Sequence, residues 1–295
     1  MQQCQPRQPV DAWCGLRRQP HPRLGCVGAR VLLELPKPSP RLHQGLLQRG
    51  RLERGGRPFQ RLSQGLNMKH YVVMVAGGTG TRMRQTTAKQ FLNVEGLPLM
   101  WWTLRRFKEA LPEAEITLVL HESLFDQYAA LEAEHGPAGV HQVVPGGAER
   151  FHSVLAGLNT LPSEGVVGIH DAVRPFPSVE TIRRCFALAA QSGSAVPVVP
   201  VKDSIRRIST DTPLSQAEDR SVMRAVQTPQ CFDLTMLKAA FDRPYRPEFT
   251  DDASVVEAAG HRVNLCEGDP WNVKVTTPED LTIAKAFVRA AWFQG

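Results

Sequence analysis

The chain has no uninterrupted apolar run near the roughly 20 residues a membrane helix needs. Its start also lacks the ordered charged, apolar and small-residue regions of a secretory signal. No membrane partner is expected, and the protein is expected to work in the cytoplasm. Cysteine is scarce: six in 295 residues, Cys4, Cys14 and Cys26 in one part and Cys185, Cys231 and Cys266 in another, none in a CxxC or other metal-ligand spacing. Free thiols in a reducing compartment fit that usage. Acids are nearly missing from the first 67 positions, where eleven Arg and one Lys face three acidic residues, net +9; residues 68–295 therefore carry −3 of the chain's overall +6. The positive total belongs to one segment, so nucleic acid is not the expected partner.

That segment is rich in Arg, Gln, Pro and Gly and shows no sustained period of 2 or 3.6. Residues 1–67 are expected to be disordered, or an over-extended reading frame ahead of Met68. The rival readings are a basic arm for RNA or a membrane surface, and a transit peptide, which the presence of only Ser39 and Ser63 disfavours. Residues 68–295 are expected to form one domain, and an apolar content of 42% is enough for a core.

From Tyr71 short apolar runs alternate with helical patterns, the mark of βαβ units around a mostly parallel sheet. Strands are predicted at residues 71–75, 116–120, 140–144, 165–170 and 195–201, and helices at 99–110, 124–134, 151–160 and 179–191. Residues 202–226 break the rhythm with two β-prone pieces, 204–208 and 221–226, and predict a protruding β-hairpin arm. Helices at 234–241 and 254–259 follow, then strands at 262–266 and 272–275, and a last helix opened by Thr277-Pro278-Glu279-Asp280.

The first strand runs into Ala76-Gly77-Gly78-Thr79-Gly80-Thr81-Arg82-Met83, a turn whose backbone N–H groups can approach a phosphate. Arg82 and Met83 stand where a dinucleotide fold wants a third glycine or a P-loop wants Gly-Lys-Ser/Thr, so neither of those folds is indicated. Lys89 follows within Ala88-Lys89-Gln90-Phe91-Leu92, and two cations flanking one glycine-rich loop suit a triphosphate. No Ser-His-Asp or Cys-His arrangement stands out.

Residues 76–92 resemble the nucleotide loop of the 2-C-methyl-D-erythritol 4-phosphate cytidylyltransferase family. Further strings resemble that family in the same order: Gly146-Gly147-Ala148-Glu149-Arg150 with Ser153–Leu158, His170-Asp171-Ala172-Val173-Arg174-Pro175, Thr228-Pro229-Gln230, Phe249–Ser254, and Asn272-Val273-Lys274-Val275-Thr276. The resemblance spans residues 70–290. It implies a doubly wound α/β fold, a homodimer clasped through the arm, and Mg²⁺-dependent attack of a polyol phosphate on the α-phosphorus of CTP. Arg82 and Lys89 would then stabilise the transition state, and Arg220, reaching from the arm, would join Lys274 on the acceptor phosphate. Ala76, Gly77, Gly78, Gly80, Gly147 and Ser153 would hold the nucleotide, and Asp171, Arg174, Ser204, Thr228 and Thr250 would line the acceptor pocket. Mg²⁺ would be held mainly by the phosphates, with Asp171 a possible ligand.

Two positions depart from the family pattern: Ala88 where proline usually precedes the lysine, and Ser204 where some members carry threonine. The neighbouring reading is a sister cytidylyltransferase acting on ribitol 5-phosphate. A reading from another class is a nucleic-acid-binding protein working through the basic segment.

Overall fold

The structure, a computed structural model, describes residues 68–78, 87–209 and 214–290. Expectations for residues 1–67, and for Gly80 and Arg82, fall outside the described residues.

Strand β1 (His70–Ala76) is an apolar run with almost every residue buried, as a strand covered on both faces requires. A small antiparallel pair, β2 (Asn93–Val94) and β3 (Leu97–Pro98), leads into α1 (Leu99–Ala110). Next come β4 (Glu115–Leu120), α2 (Phe125–His135), β5 (Gln142–Pro145), α3 (Arg150–Asn159) and β6 (Val166–Asp171). Helix α4 (Val179–Ser192) starts at Ser178, whose hydroxyl accepts the Thr181 N–H, and stops at Gly193, which takes the left-handed conformation (φ 81°). After β7 (Ser194–Pro200) come β8 (Ile205–Ile208), β9 (Ser215–Glu218), β10 (Arg224–Val226), β11 (Gln230–Asp233), α5 (Leu234–Phe241), α6 (Asp252–Ala258), β12 (Leu265–Glu267) and α7 (Pro278–Arg289).

The main sheet runs β10-β7-β11-β6-β1-β4-β5, with β12 also paired to β7. Strands β6, β1, β4 and β5 are mutually parallel, while β11 lies antiparallel between β6 and β7. This is the expected α/β fold with a mostly parallel sheet. One apolar cluster on α1, α4 and the sheet includes Trp101, Phe107 and Phe186, and another packs α3, α5 and α6 through Phe151, Leu158 and Phe241. The ladders set Val75 opposite Asp171, Ala76 opposite Leu120 and Leu120 opposite Pro145, so four parallel strands end along one edge. Ligands of open α/β sheets bind at such an edge.

Three local expectations need correction. Ile205–Ile208 pairs with Ser215–Glu218 and not with residues 221–226, because β10 joins the main sheet against β7. Residues 272–275 form no strand: Val275 N–H donates to the Val173 carbonyl, but no ladder forms, and Lys274 sits in a loop. Gln230, the last residue of the Thr228-Pro229-Gln230 string, opens β11, a strand the sequence pattern did not predict.

Candidate active site

At the end of β6 the Asp171 carboxylate is surrounded by cations from three parts of the chain. Lys274 Nζ lies 3.0 Å from Oδ2, Arg174 Nε 3.3 Å from Oδ2, and Arg150 Nε 3.7 Å from Oδ1. Burial alone works to raise the Asp171 pKa, but Lys274, Arg150 and Arg174 outweigh it and hold the carboxyl well below the usual carboxylate range. Asp171 is therefore ionised at any working pH. The Arg174 guanidinium also donates to the Asn272 carbonyl (3.0 Å), which ties the loop carrying Lys274 to the loop after β6.

Beneath the carboxylate lies a buried polar chain. Thr228 Oγ1 accepts the Asp171 N–H (3.3 Å) and pairs with His170 Nδ1 (2.9 Å), while His170 Nε2 meets the Arg174 carbonyl (3.0 Å). A carbonyl can only accept, so Nε2 carries the proton and Nδ1 accepts from the Thr228 hydroxyl. Burial pushes the His170 pKa down to about 4, which keeps the ring neutral and this bonding pattern fixed. Asn272 Nδ2 donates to the Thr228 carbonyl (2.7 Å), so the Lys274 loop is anchored from below as well.

The glycine-rich turn after β1 reaches the same edge. Gln90 Nε2 donates to the carbonyls of Ala76 (2.9 Å) and Gly78 (3.3 Å), and a Cβ built on Gly78 would lie 3.9 Å from Lys89 Cε, so the lysine stem lies over the turn. Ser153 Oγ accepts the Gly147 N–H (3.2 Å) and donates to the Glu149 carbonyl (3.2 Å). A Cβ on Gly77 or Gly146 would come within 3.1 or 3.0 Å of that oxygen, and one on Gly147 would sit 2.3 Å from His152 Cβ. Glycine at these places lets two loops close on one buried serine. Gln90 Oε1 and Asn272 Oδ1, both buried, have no hydrogen-bond partner among the described residues.

The model of the 2-C-methyl-D-erythritol 4-phosphate cytidylyltransferase family matches residues 70–290. The chain belongs to this family. The enzyme of that name from Bacteroides thetaiotaomicron is 45% identical over 221 residues, 75% of this chain and 100% of the relative, and that from Bacillus velezensis is 40% identical over 226 residues, 76% and 97%. The crystal structure of the Thermus thermophilus enzyme superposes with a TM-score of 0.60 at 32% identity, covering 75% of this chain and 100% of that one.

Within this family frame the fold brings Ala76, Gly77, Gly78, Lys89, Gly147, Ser153, Asp171, Arg174, Thr228 and Lys274 to the edge where β1, β4, β5 and β6 end. Thr228 is almost wholly buried, and its hydroxyl is engaged on both sides, which makes it a support for Asp171 more than a pocket wall. Thr250 lies one residue before Asp251, which caps α6. Ser204 and Arg220 are exposed, and Arg220 donates to the Lys202 carbonyl; no hydrogen bond or ion pair among the described residues joins either to the Asp171 cluster.

Sequence reasoning passed over Arg150, Asp252 and His170 as site components. Arg150 closes the Gly146–Arg150 string, and that position, just after a glycine-rich turn and opening a helix, was the signal available. His170 precedes the acidic strand end, where a histidine reads as peripheral until its partners are known.

Among the described residues no cluster of three or more His, Cys, Asp or Glu could hold a metal ion by itself. Among the described residues the cation nearest to Asp171 Oδ1 is Arg150 Nε at 3.7 Å, so this oxygen could serve as one carboxylate ligand to a Mg²⁺ held mainly by phosphate oxygens.

Proposed function

We propose that the chain transfers CMP from CTP to 2-C-methyl-D-erythritol 4-phosphate, releasing pyrophosphate and forming 4-diphosphocytidyl-2-C-methyl-D-erythritol in the non-mevalonate route to isoprenoids. The observation that carries this reading is the group of Lys274, Arg174 and Arg150 around Asp171, beside a glycine-rich turn and Lys89, in a chain of this family.

The acceptor phosphate has its second pKa near 6, so at neutral pH it is mostly a dianion and needs no base to become a nucleophile. One of its oxygens forms a bond to the α-phosphorus as the bond from that phosphorus to the bridging oxygen breaks, and pyrophosphate leaves with the electron pair. The protein's part is to bring two polyanions together and neutralise the crowded charge. In this reading Lys89 and Arg82 serve the triphosphate, and Lys274 and Arg174 the acceptor phosphate. Asp171, paired with Lys274 and Arg174, holds these two cations in place. Mg²⁺, when bound, would supply further neutralisation of the triphosphate, and Asp171 is the residue of this chain that would help to hold it.

In this reading Ser204 and Arg220 act from the β8–β9 arm on the site of a second copy, and the working form is a homodimer. Support comes from the arm's apolar exposure, with Ile208 79%, Leu214 73% and Val222 74% exposed. No described helix is long and apolar enough to cross a membrane, and we place the enzyme in the cytoplasm with its relatives' biosynthetic chemistry.

The test is pyrophosphate release from CTP and Mg²⁺ with either 2-C-methyl-D-erythritol 4-phosphate or ribitol 5-phosphate, using the full chain and one starting at Met68. Turnover specific to the first acceptor, equal in both proteins, is the expected result. Preference for ribitol 5-phosphate would transfer the chain to the sister reaction, and loss of activity on removing residues 1–67 would give that segment a role.

A further inference from the structure

Arg150 joins three segments that are far apart in sequence. It opens α3, directly after the loop that closes on Ser153. Its terminal nitrogens donate to both carboxylate oxygens of Asp252, Nη1 to Oδ1 at 2.8 Å and Nη2 to Oδ2 at 2.6 Å, while its Nε faces Asp171 at 3.7 Å. Planar two-point pairing of this kind fixes orientation as well as distance.

Asp252 is the first residue of α6 and is completely buried, so it cannot touch a substrate. Its burial raises its pKa, which the Arg150 charge opposes. The same pair keeps the guanidinium charged: burial works against it, but Asp252, Asp171 and Asp251 more than compensate. The residue before Asp252 is the helix cap Asp251. Its carboxylate accepts the Ser254 N–H at 2.9 Å and the Gln230 side-chain amide at 2.9 Å. Thr250 comes just before that cap. The Arg150–Asp252 clamp is therefore one of the ties that set where the Thr250 loop stands relative to Asp171, beside the bonds of the Gln230 side chain to Asp251 and to the Ala253 N–H (2.9 Å).

We propose that Arg150 is a positioning residue that couples the two halves of the site: through Asp252 it holds the Thr250 loop against the nucleotide loop at Gly147 and Ser153, and so sets acceptor affinity without touching the acceptor. The proposal rests on the cytidylyltransferase reading for its kinetic form, but not for its structural form. If Arg150 instead bound a substrate phosphate directly, its own replacement would cost far more than neutralising Asp252, and the two single variants would not share one kinetic pattern.

The experiment compares Arg150→Lys, Asp252→Asn and the double variant. Asp252→Asn keeps the shape and part of the hydrogen bonding, so it remains informative if the lysine variant folds poorly. Both single variants are expected to raise the acceptor KM about tenfold or more and the CTP KM by a smaller factor, since the link runs from the Thr250 loop to the loop at Gly147 and Ser153. The double variant is expected to be no worse than the poorer single one, because both remove the same link. Hydrogen exchange on the same proteins needs no turnover: Asp252→Asn should speed exchange at the amides of Gly147 and Ser153, in the loop and first helical turn that flank Arg150. An unchanged acceptor KM in Asp252→Asn, a change confined to the CTP KM or kcat, or unaltered exchange at Gly147 and Ser153 would each overturn the proposal. A wild-type protein inactive on every acceptor would instead count against the functional reading, and the exchange result would still decide the coupling.

Discussion

Lys274 Nζ and Asp171 Oδ2 meet at 3.0 Å across the edge of the sheet, one on a loop anchored through Asn272 and the other at the last residue of β6. The lysine is partly exposed and the carboxylate nearly buried, so the pair presents a positive face outward with its counter-charge held behind. An incoming phosphate would meet a cation already fixed in place.

Replacing Lys274 by alanine removes both that cation and the largest influence holding the Asp171 carboxyl low. We expect kcat/KM to fall by about 10²–10³, the cost of one preorganised charge partner. Arginine at 274 would rescue part of the loss. Steady-state kinetics on the two variants checks this, and activity surviving in Lys274→Ala would remove the residue from the reacting centre.

His170 gives a pH dependence of stability. Its folded pKa, about 4, lies below the ordinary value of 6.5, so the unfolded chain binds a proton between these values while the folded chain does not. Stability from this group is complete above pH 6.5 and drains away as pH falls toward 4, by roughly 3 kcal/mol in all. Urea midpoints measured at pH 7 and pH 4.5 should differ less in His170→Asn than in the wild type. Parallel curves for the two proteins would show that His170 is not the titrating group.

At Gly147 a methyl group would come 2.3 Å from His152 Cβ, on the helix backbone's own side chain, with little room to yield. Gly147→Ala is expected to displace the loop that closes on Ser153, raise the CTP KM several-fold and lower the melting temperature by about 2–8 °C through overpacking against His152. An unchanged CTP KM would separate this loop from nucleotide binding.

The exposed apolar side chains of the arm predict the last result. Val222→Asp and Ile208→Asp place charges on residues that are 74% and 79% exposed, so a free monomer would tolerate them well. If the arm clasps a second copy, light scattering will show the wild type as a dimer and these variants as monomers with much reduced activity. A wild-type monomer of full activity would end the dimer proposal.

Much of the framework was legible in the sequence. The bounds read for α1 and α5 coincide with those observed, because each is a single amphipathic run with clear punctuation at both ends. Strand β11 escaped: Thr228-Pro229 signals a turn, and a stretch as short as Gln230–Asp233 becomes a strand only because β6 and β7 offer it two open edges. The arm's register was misread for a related reason, since 215–218 is polar and exposed and has no periodic pattern to announce it.

Local chemistry determined what the sequence could determine by itself: the alternating elements, the glycine-rich turn, the acid at a strand end, and a family resemblance carried by six ordered strings. What only the tertiary structure decided is which charges meet. Arg150 and Asp252 form a clamp, Thr228 serves His170 and the Asp171 backbone, and Lys274 works from a loop. Pairings between residues so far apart along the chain leave no periodic trace, because they depend on the sheet order and loop paths that bring β6, α3, α6 and residue 274 to one edge, and not on the preferences of any one segment.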